Sequence, residues 1–351
     1  MKLLFRVQAG PETGLGHLRR SISLADALKR RGVEGNFLLH PDPRGVEVAE
    51  RSGYSASLLE GPAAFGEEDC RNTLEEARRV GADALLFDYH DIPAEYIGSL
   101  RAAGRTLIVR DDLALRPLPV EVVVNGNADA ERLGYPAWGG GARFLLGPRY
   151  AVLPKEYGDP APRQTQPRVG RVLVALGGAD PRRRLPALLE RLDRLPESFE
   201  ITAVLGPFFD DAEEVRETAG RLRKKVHLVS APDSMAALIA GADLAVSAAG
   251  QTLYELACFG CPTVAFRVAE NQQGQLAALA EAGCILNAGR AEDQELLGRV
   301  EELLSGLLRD RDRREEISRA GQSLVDGRGA DRVAQVIARQ LSQPGRGLVR
   351  K

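Results

Sequence analysis

The segment best equipped for chemistry is a glycine-rich turn, Thr13-Gly14-Leu15-Gly16-His17-Leu18-Arg19-Arg20. Two glycines let a backbone approach a ligand closely, and a helix starting there presents unpaired N–H groups with a positive partial charge. An imidazole at such a helix start has its cation disfavoured by the dipole, so His17 is expected to stay a neutral base near pH 7. A lone His can also simply cap or pack the first turn. Position favours proton abstraction, because ligands of open α/β sheets bind at corners that follow the carboxyl ends of parallel strands. The dinucleotide fingerprint is not met: Arg19 stands where a third glycine is needed, and no acidic ribose partner is evident about 20 residues on.

In the second half, Ser247-Ala248-Ala249-Gly250-Gln251-Thr252 precedes a helical pattern containing Glu255. Small residues at a helix start let N–H groups reach phosphate oxygens, and a carboxylate on the first turns can accept both ribose hydroxyls, which together describe a nucleotide diphosphate seat. The alternative is a tightly packed corner with Glu255 in solvent. Gly177-Gly178-Ala179-Asp180-Pro181 adds a flexible turn on the same rim. Glu270-Asn271-Gln272-Gln273 could offer amides to a sugar or phosphate, or an N-cap at Asn271. Asp88-Tyr89-His90-Asp91 and Asp111-Asp112 each follow a first-half strand and should share the rim with His17. Carboxylates there commonly cap helices or brace loops, so Asp88 and Asp112 are read mainly as structural and His90 as undecided. Cys258-Phe259-Gly260-Cys261-Pro262 has CxxC spacing but no second pair and reads as a turn, while His40 and His227 read as packing or loop residues.

The elements that must position these groups alternate from the start: short apolar runs, then longer helical patterns, as in stacked βαβ units. The class is α/β. First-half strands are expected at 3–7, 37–40, 84–88, 106–110 and 120–125, mostly near-continuous apolar as strands buried on both faces should be. Leu18, Ile22, Ala25 and Leu28 make one apolar stripe on a helix that stops before Gly32. Periodicity fails from Tyr150 to Arg171, where Pro154, Pro160, Pro162 and Pro167 crowd a polar stretch. A second series then begins, with strands at 172–176, 201–205, 226–229, 244–247 and 263–267, and helices only beyond Glu292, ending with 331–343. The expected division is a first domain over 1–155, a linker over 156–170, a second domain over 171–343 and a tail over 344–351.

At 351 residues the chain is long enough for two domains, and its 47 Lys plus Arg against 49 Asp plus Glu give no electropositive field for nucleic acid. Four scattered cysteines argue against a secreted disulfide framework, and no run approaches the 18 apolar residues of a membrane span, so a cytoplasmic, monomeric protein without stable membrane insertion is expected.

Taken together, these motifs resemble the nucleotide-sugar proteins of the PseG/SpsG group, which includes the UDP-sugar hydrolase of bacterial pseudaminic acid biosynthesis and is related to MurG-type glycosyltransferases. The resemblance rests on Arg6 with Gly14-Leu15-Gly16-His17 and Arg20, Asp111-Asp112-Leu113, and Leu146-Gly147-Pro148-Arg149-Tyr150-Ala151-Val152-Leu153. It continues through Gly177 to Pro181, Ser247 to Gly250 with Glu255, Asn271-Gln272, and Asp326-Gly327-Arg328-Gly329-Ala330 with Arg332-Val333. It implies a GT-B-like fold: two Rossmann-like domains with parallel sheets facing across a cleft, UDP held by the second and the sugar presented to the first. It also implies that His17 acts on the attacking water or acceptor, with Glu255 on the ribose and Asn271 and Gln272 near the sugar or diphosphate. Gln8 departs from the acidic residue usual two places after Arg6, and His90 stands where the group has a tyrosine, with Tyr89 adjacent.

The expected catalytic residues are therefore His17 and His90. The expected substrate-binding residues are Arg6, Gly14, Gly16, Arg20, Tyr89 and Asp112 in the first domain, and Gly178, Ser247, Ala249, Gly250, Gln251, Glu255, Asn271 and Gln272 in the second. No metal or cofactor is expected. The expected reaction is inverting water attack on the anomeric carbon of a UDP-activated deoxy-diacetamido sugar, with the helix start at Ala249 and Gly250 stabilising the departing diphosphate. An inverting glycosyltransferase on the same seat, or a nucleotide-sugar-binding protein without chemistry, are the alternatives.

Overall fold

The computed structural model describes residues 1–10, 14–59, 65–138, 141–180, 182–209, 212–232 and 234–342. Thr13, Pro181 and the tail lie outside the described residues. The chain forms two compact units, Met1–Lys155 together with the segment from Arg328, and Glu156–Gly327.

In the first unit the strands are β1 (Lys2–Ala9), β2 (Glu34–Pro41), β3 (Ser55–Leu58), β4 (Ala84–Asp88), β5 (Thr106–Arg110), β6 (Val122–Asn125) and β7 (Arg143–Leu146). Its helices are α1 (Gly16–Lys29), α2 (Pro43–Arg51), α3 (Glu67–Val80) and α4 (Ala94–Ala102). All strand pairs are parallel, in the order β3-β2-β1-β4-β5-β6-β7. This is the doubly wound arrangement, with its strand order reversing between β1 and β4, where ligands of such sheets bind.

Strand alternation divides the side chains between two faces. Leu4, Leu85, Phe87, Leu107 and Val109 point into a core shared with Ala77 of α3 and with Ile97 and Leu100 of α4. The intervening positions face α1, where Phe5 lies so close to Ala25 that a Cβ on Gly35 would come within 3.1 Å of the one and 3.2 Å of the other.

The second unit repeats the plan with β8 (Arg171–Ala175), β9 (Glu200–Leu205), β10 (Val226–Ser230), β11 (Leu244–Ala248), β12 (Thr263–Arg267) and β13 (Leu286–Arg290), ordered β10-β9-β8-β11-β12-β13. Its helices are α5 (Arg184–Arg194), α6 (Ala212–Arg221), α7 (Ala236–Gly241), α8 (Thr252–Cys258), α9 (Gln273–Glu281), α10 (Leu296–Arg309) and α11 (Arg311–Leu324). Val174, Val246, Val264 and Phe266 meet Leu188, Leu192, Val300 and Leu304 in one core.

The two-sheet α/β class expected from the sequence holds, and each expected strand is present within a few residues. Three were missed. β3 and β7 are four-residue edge strands, and β13 (Leu-Asn-Ala-Gly-Arg) is polar and carries Gly289 at φ 100°. Edge strands bury one side only and lose the continuous apolar run that marks central ones.

Two stretches join units other than those expected. Residues 156–170 pack into the second unit rather than linking freely: Tyr157 is buried, Val169 enters the core, and Arg163 donates to the carbonyls of Ala242 and Phe259. The last helix, α12 (Gly329–Leu341), returns to the first unit and packs on α1 instead of closing the second. Its buried stripe of Val333, Ala334 and Ile337 is amphipathic at helical spacing and needs a partner, which α1 supplies. Arg30 pairs with Asp331 at 2.8 Å across that contact. No described helix is long and apolar enough to cross a membrane.

Gly329 is required by the close approach of α12, since a Cβ there would stand 2.0 Å from the Ala151 carbonyl oxygen. Gly329→Ala should cost about 1–3 kcal/mol in urea unfolding. Gly220→Ala, at a site in α6 where a Cβ meets nothing within 4 Å, should leave stability unchanged or slightly raised.

Candidate active site

In the first unit the helix start of α1 brings His17, Arg20 and Ser21 to one face, because residues three and four apart stack on a helix. That face meets the carboxyl ends of β4 and β5. Asp88, the last residue of β4 and wholly buried, is the common partner. Arg20 donates to it through Nε at 2.8 Å and again through Nη2, and Ser21 Oγ donates at 3.0 Å. The third guanidinium donor, Nη1, reaches Asp112 Oδ2 at 2.8 Å. Arg20 thus clamps two carboxylates with its planar fork, which a lysine could not do.

His17 completes the set. Its Nδ1 stands 3.2 Å from the Asp88 carbonyl oxygen and 3.4 Å from Asp88 Oδ1, and its Nε2 stands 3.2 Å from His90 Nε2. The hydrogen-bond network assigns the tautomers. Because Nδ1 faces only acceptors, it carries the proton of the neutral ring, and Nε2 holds the lone pair. His90 then donates its Nε2–H to that lone pair. Burial, followed by the neighbouring Arg20 charge, pushes His17 down to about 4. Burial alone would raise Asp88, but Arg20, with His17 and Arg110 adding, outweighs it and holds the carboxyl below its ordinary range. Asp112 is likewise held low, its burial outweighed by Arg20 and Arg110. A neutral imidazole whose Nδ1–H is taken by the Asp88 carbonyl, with the ionised Asp88 carboxylate 3.4 Å away, is the arrangement of a general base.

Strand alternation decides between Tyr89 and His90. Tyr89 continues the inward face of Leu85 and Phe87, is buried in the α3 and α4 core, and accepts from Arg6 Nη1. His90 falls on the side of Asp88 and meets His17 edge to face, with ring centroids 4.4 Å apart. Arg6 goes with Tyr89: wholly buried, it pairs with Asp69 at 3.3 Å on the sheet face away from His17. Two expected substrate contacts, Arg6 and Tyr89, are therefore framework, because the parity of their strands turns them into the core.

Gly14 adopts φ 69° and donates to the Gly10 carbonyl at 2.7 Å, and Gly16 begins α1 with open space where a Cβ would be. The sequence marks Asp88 as mainly structural and gives no role to Arg110. That residue ends β5, is buried, and has Nε and Nη1 without hydrogen-bond partners, Nε lying 3.9 Å from Asp88 Oδ2. Burial, then Arg20, lowers it to about 10. An arginine closing an apolar strand, Thr106-Leu107-Ile108-Val109-Arg110, was the available signal. Asp111 braces the following loop by accepting from the N–H groups of Leu113 and Ala114.

In the second unit the expected phosphate seat differs in detail. Ser247 Oγ donates to the backbone of Ala175 and Ala248, the Ala249 N–H to Phe266, and the Gly250 N–H to Ala248. Ser247, Ala249 and Gly250 thus spend their donors within the corner, so a diphosphate held there by Ala249 and Gly250 is not available. Gln251 and Thr252 are part-exposed at the start of α8, and Glu255 is half-buried with its carboxylate beside Tyr157 and Cys258.

Gly178 supports the neighbouring turn: its carbonyl accepts from Phe208 N at 2.9 Å, and a Cβ on Gly206 would fall 2.4 Å from it. Asn271 is exposed and does not cap α9, and Gln272 turns its Oε1 back to Val268 N at 2.8 Å. Cys258 and Cys261 are buried free thiols, raised by burial to about 12 and 11. A broad groove lined by Asp193, Glu200, Arg223, Lys224 and Lys225 lies at the amino-terminal strand ends, the opposite edge from Ser247.

The lowered pKa of His17 makes stability depend on pH. Between about 6.5, the unfolded value, and about 4, the unfolded chain binds the proton that the folded one refuses, so stability falls as pH falls through that window, by on the order of 3 kcal/mol. Urea midpoints at pH 7.5, 5.5 and 4.5, chosen to bracket roughly that window, should drop more steeply in the wild type than in His17→Gln. Parallel slopes would contradict a buried neutral His17.

No protein-family model matches the chain. It is similar to the spore coat polysaccharide biosynthesis protein SpsG of Bacillus subtilis, 27% identical over 346 residues, or 93% of this chain and 95% of that one. It is also similar to uncharacterized protein MJ1062 of Methanocaldococcus jannaschii, 25% identical over 278 residues; that match takes in 75% of this chain and spans only 55% of the relative's length. Among solved structures, MurG of Acinetobacter baumannii has a TM-score of 0.69 at 14% identity, covering 97% of this chain and 100% of that one. The UDP-GlcNAc 2-epimerase of Neisseria meningitidis, solved with UDP-GlcNAc, has a TM-score of 0.66 at 11% identity, covering 97% and 100%. The resemblance read from the motifs therefore holds at this level: the chain is similar in sequence to SpsG and shares the GT-B-like fold of MurG.

Proposed function

We propose that the protein processes a UDP-sugar in polysaccharide biosynthesis and that its reaction is hydrolysis at the anomeric carbon with inversion. The observation that carries this reading is the Asp88-held His17, a neutral base at the strand-order reversal of the first sheet. In the reaction, a water molecule replaces His90 as the donor to His17 Nε2. As its oxygen attacks the anomeric carbon, its proton passes to Nε2, the C–O bond to the diphosphate breaks, and the bonding pair leaves with UDP. Asp88 stabilises the imidazolium that forms, while Arg20 keeps Asp88 ionised and fixed. The similarity to SpsG supports the biosynthetic setting, and the UDP-GlcNAc bound in the Neisseria epimerase supports the donor class.

The nucleotide is assigned to the second unit, with Gly178, Gln251, Glu255, Asn271 and Gln272 as its candidate contacts. A deoxy-diacetamido hexose is the proposed sugar, following the resemblance to the hydrolase of pseudaminic acid biosynthesis. The MurG-like fold favours a second reading, in which a sugar or lipid hydroxyl takes the place of water and the protein is an inverting glycosyltransferase.

UDP-activated deoxy-diacetamido sugars incubated with the protein in oxygen-18 water decide between them. Hydrolysis predicts labelled free sugar at turnover rates without acceptor, with kcat falling about 10²–10⁴-fold in His17→Gln. Label in UDP would contradict attack at carbon, and turnover only with added acceptor would establish the transferase.

A further inference from the structure

We propose that His17, His90 and Asp112 form a binding site for a single divalent cation of the Zn²⁺ class. Their ligand atoms all lie within 4.8 Å of one another, inside one unit and at the ends of packed elements. The two Nε2 atoms are 3.2 Å apart. With metal–nitrogen bonds of about 2.1 Å, that separation subtends roughly 100° at the ion, close to the tetrahedral angle. The third ligand has an oxygen to give: Asp112 Oδ2 is taken by Arg20, whereas Asp112 Oδ1 is buried without a hydrogen-bond partner.

For His17 the outer shell fits, whereas His90 Nδ1 is buried without a hydrogen-bond partner. Zinc-bound histidines generally donate their other ring nitrogen to a carboxylate or carbonyl, and His17 Nδ1 faces both the carbonyl and the carboxylate of Asp88. Two imidazoles and one carboxylate select Zn²⁺, Co²⁺ or Ni²⁺ over the hard cations Mg²⁺ and Ca²⁺, which prefer oxygen alone. Arg20 and Arg110 are the nearby positive charges, Asp88 and Asp112 offset them, and Asp111 and Asp129 add negative charge within reach of Asp112. Three protein ligands leave a fourth position open.

The consequence for activity rests on the hydrolase reading above: an ion on His17 Nε2 occupies the lone pair that would take the water's proton, so it inhibits. Binding is read without substrate, by titrating chelator-treated protein with Zn²⁺ in a calorimeter and with Co²⁺ by visible absorption. The expected result is one ion per chain, tetrahedral-type Co²⁺ bands, no displacement by Mg²⁺, and affinity reduced at least about tenfold in both His90→Ala and Asp112→Asn. Absence of stoichiometric binding, or binding unchanged in both variants, would overturn the site. Turnover assays then separate the two readings. Zn²⁺ that binds without inhibiting upholds the site and removes His17 Nε2 as the base, while normal turnover in a protein that binds no Zn²⁺ removes the site alone.

Discussion

The first unit is organised around one buried carboxylate. Asp88 ends β4 with no exposure to solvent, and an ion in that position is costly unless every lone pair is answered. Arg20 and Ser21 answer from α1, and His17 lies beside the carboxylate at 3.4 Å while its Nδ1–H is taken by the Asp88 carbonyl. Removing any one of these groups leaves charge or donors stranded, and breaking a buried pair costs about 3–5 kcal/mol. The carbonyl of the same residue fixes the tautomer of His17, so the residue that anchors the cluster also sets the reactive face of the imidazole.

Sheet parity separates this cluster from a second one that composition alone cannot distinguish from it. Arg6, Tyr89 and Asp69 are also polar, buried and close to the strand ends, but they belong to the α3 and α4 face, where Arg6 donates to Tyr89 and pairs with Asp69. Two polar clusters on opposite faces of one sheet give the first unit a rigid frame on one side and a reactive set on the other.

Much of this was legible in the sequence. Central strands showed as apolar runs because both of their faces are buried, and the turn carrying His17 showed because glycines precede an apolar helical stripe. The corner at Ser247 was also legible as a strand-to-helix turn, but not the use of its donors: whether an N–H points at a ligand or at a neighbouring carbonyl depends on the three-dimensional path of Ala249 and Gly250. Likewise α12 reads as an amphipathic helix in either unit. Only its packing on α1, with Gly329 pressed against Ala151, decides where it belongs. Arg110 was hidden for a related reason, since a charge at a strand end is usually solvated and this one is enclosed by Asp88, Asp112 and Arg20.

Through its carbonyl, Asp88 holds His17 as a neutral ring protonated on Nδ1. Long-range proton–nitrogen correlation spectra of nitrogen-15 histidine-labelled protein, followed through a pH titration, test it directly. A ring held in this way shows the Nδ1–H form of His17 at neutral pH, with protonation delayed to about pH 4. An Nε2–H form, or titration near the ordinary histidine value of about 6.5, would contradict it.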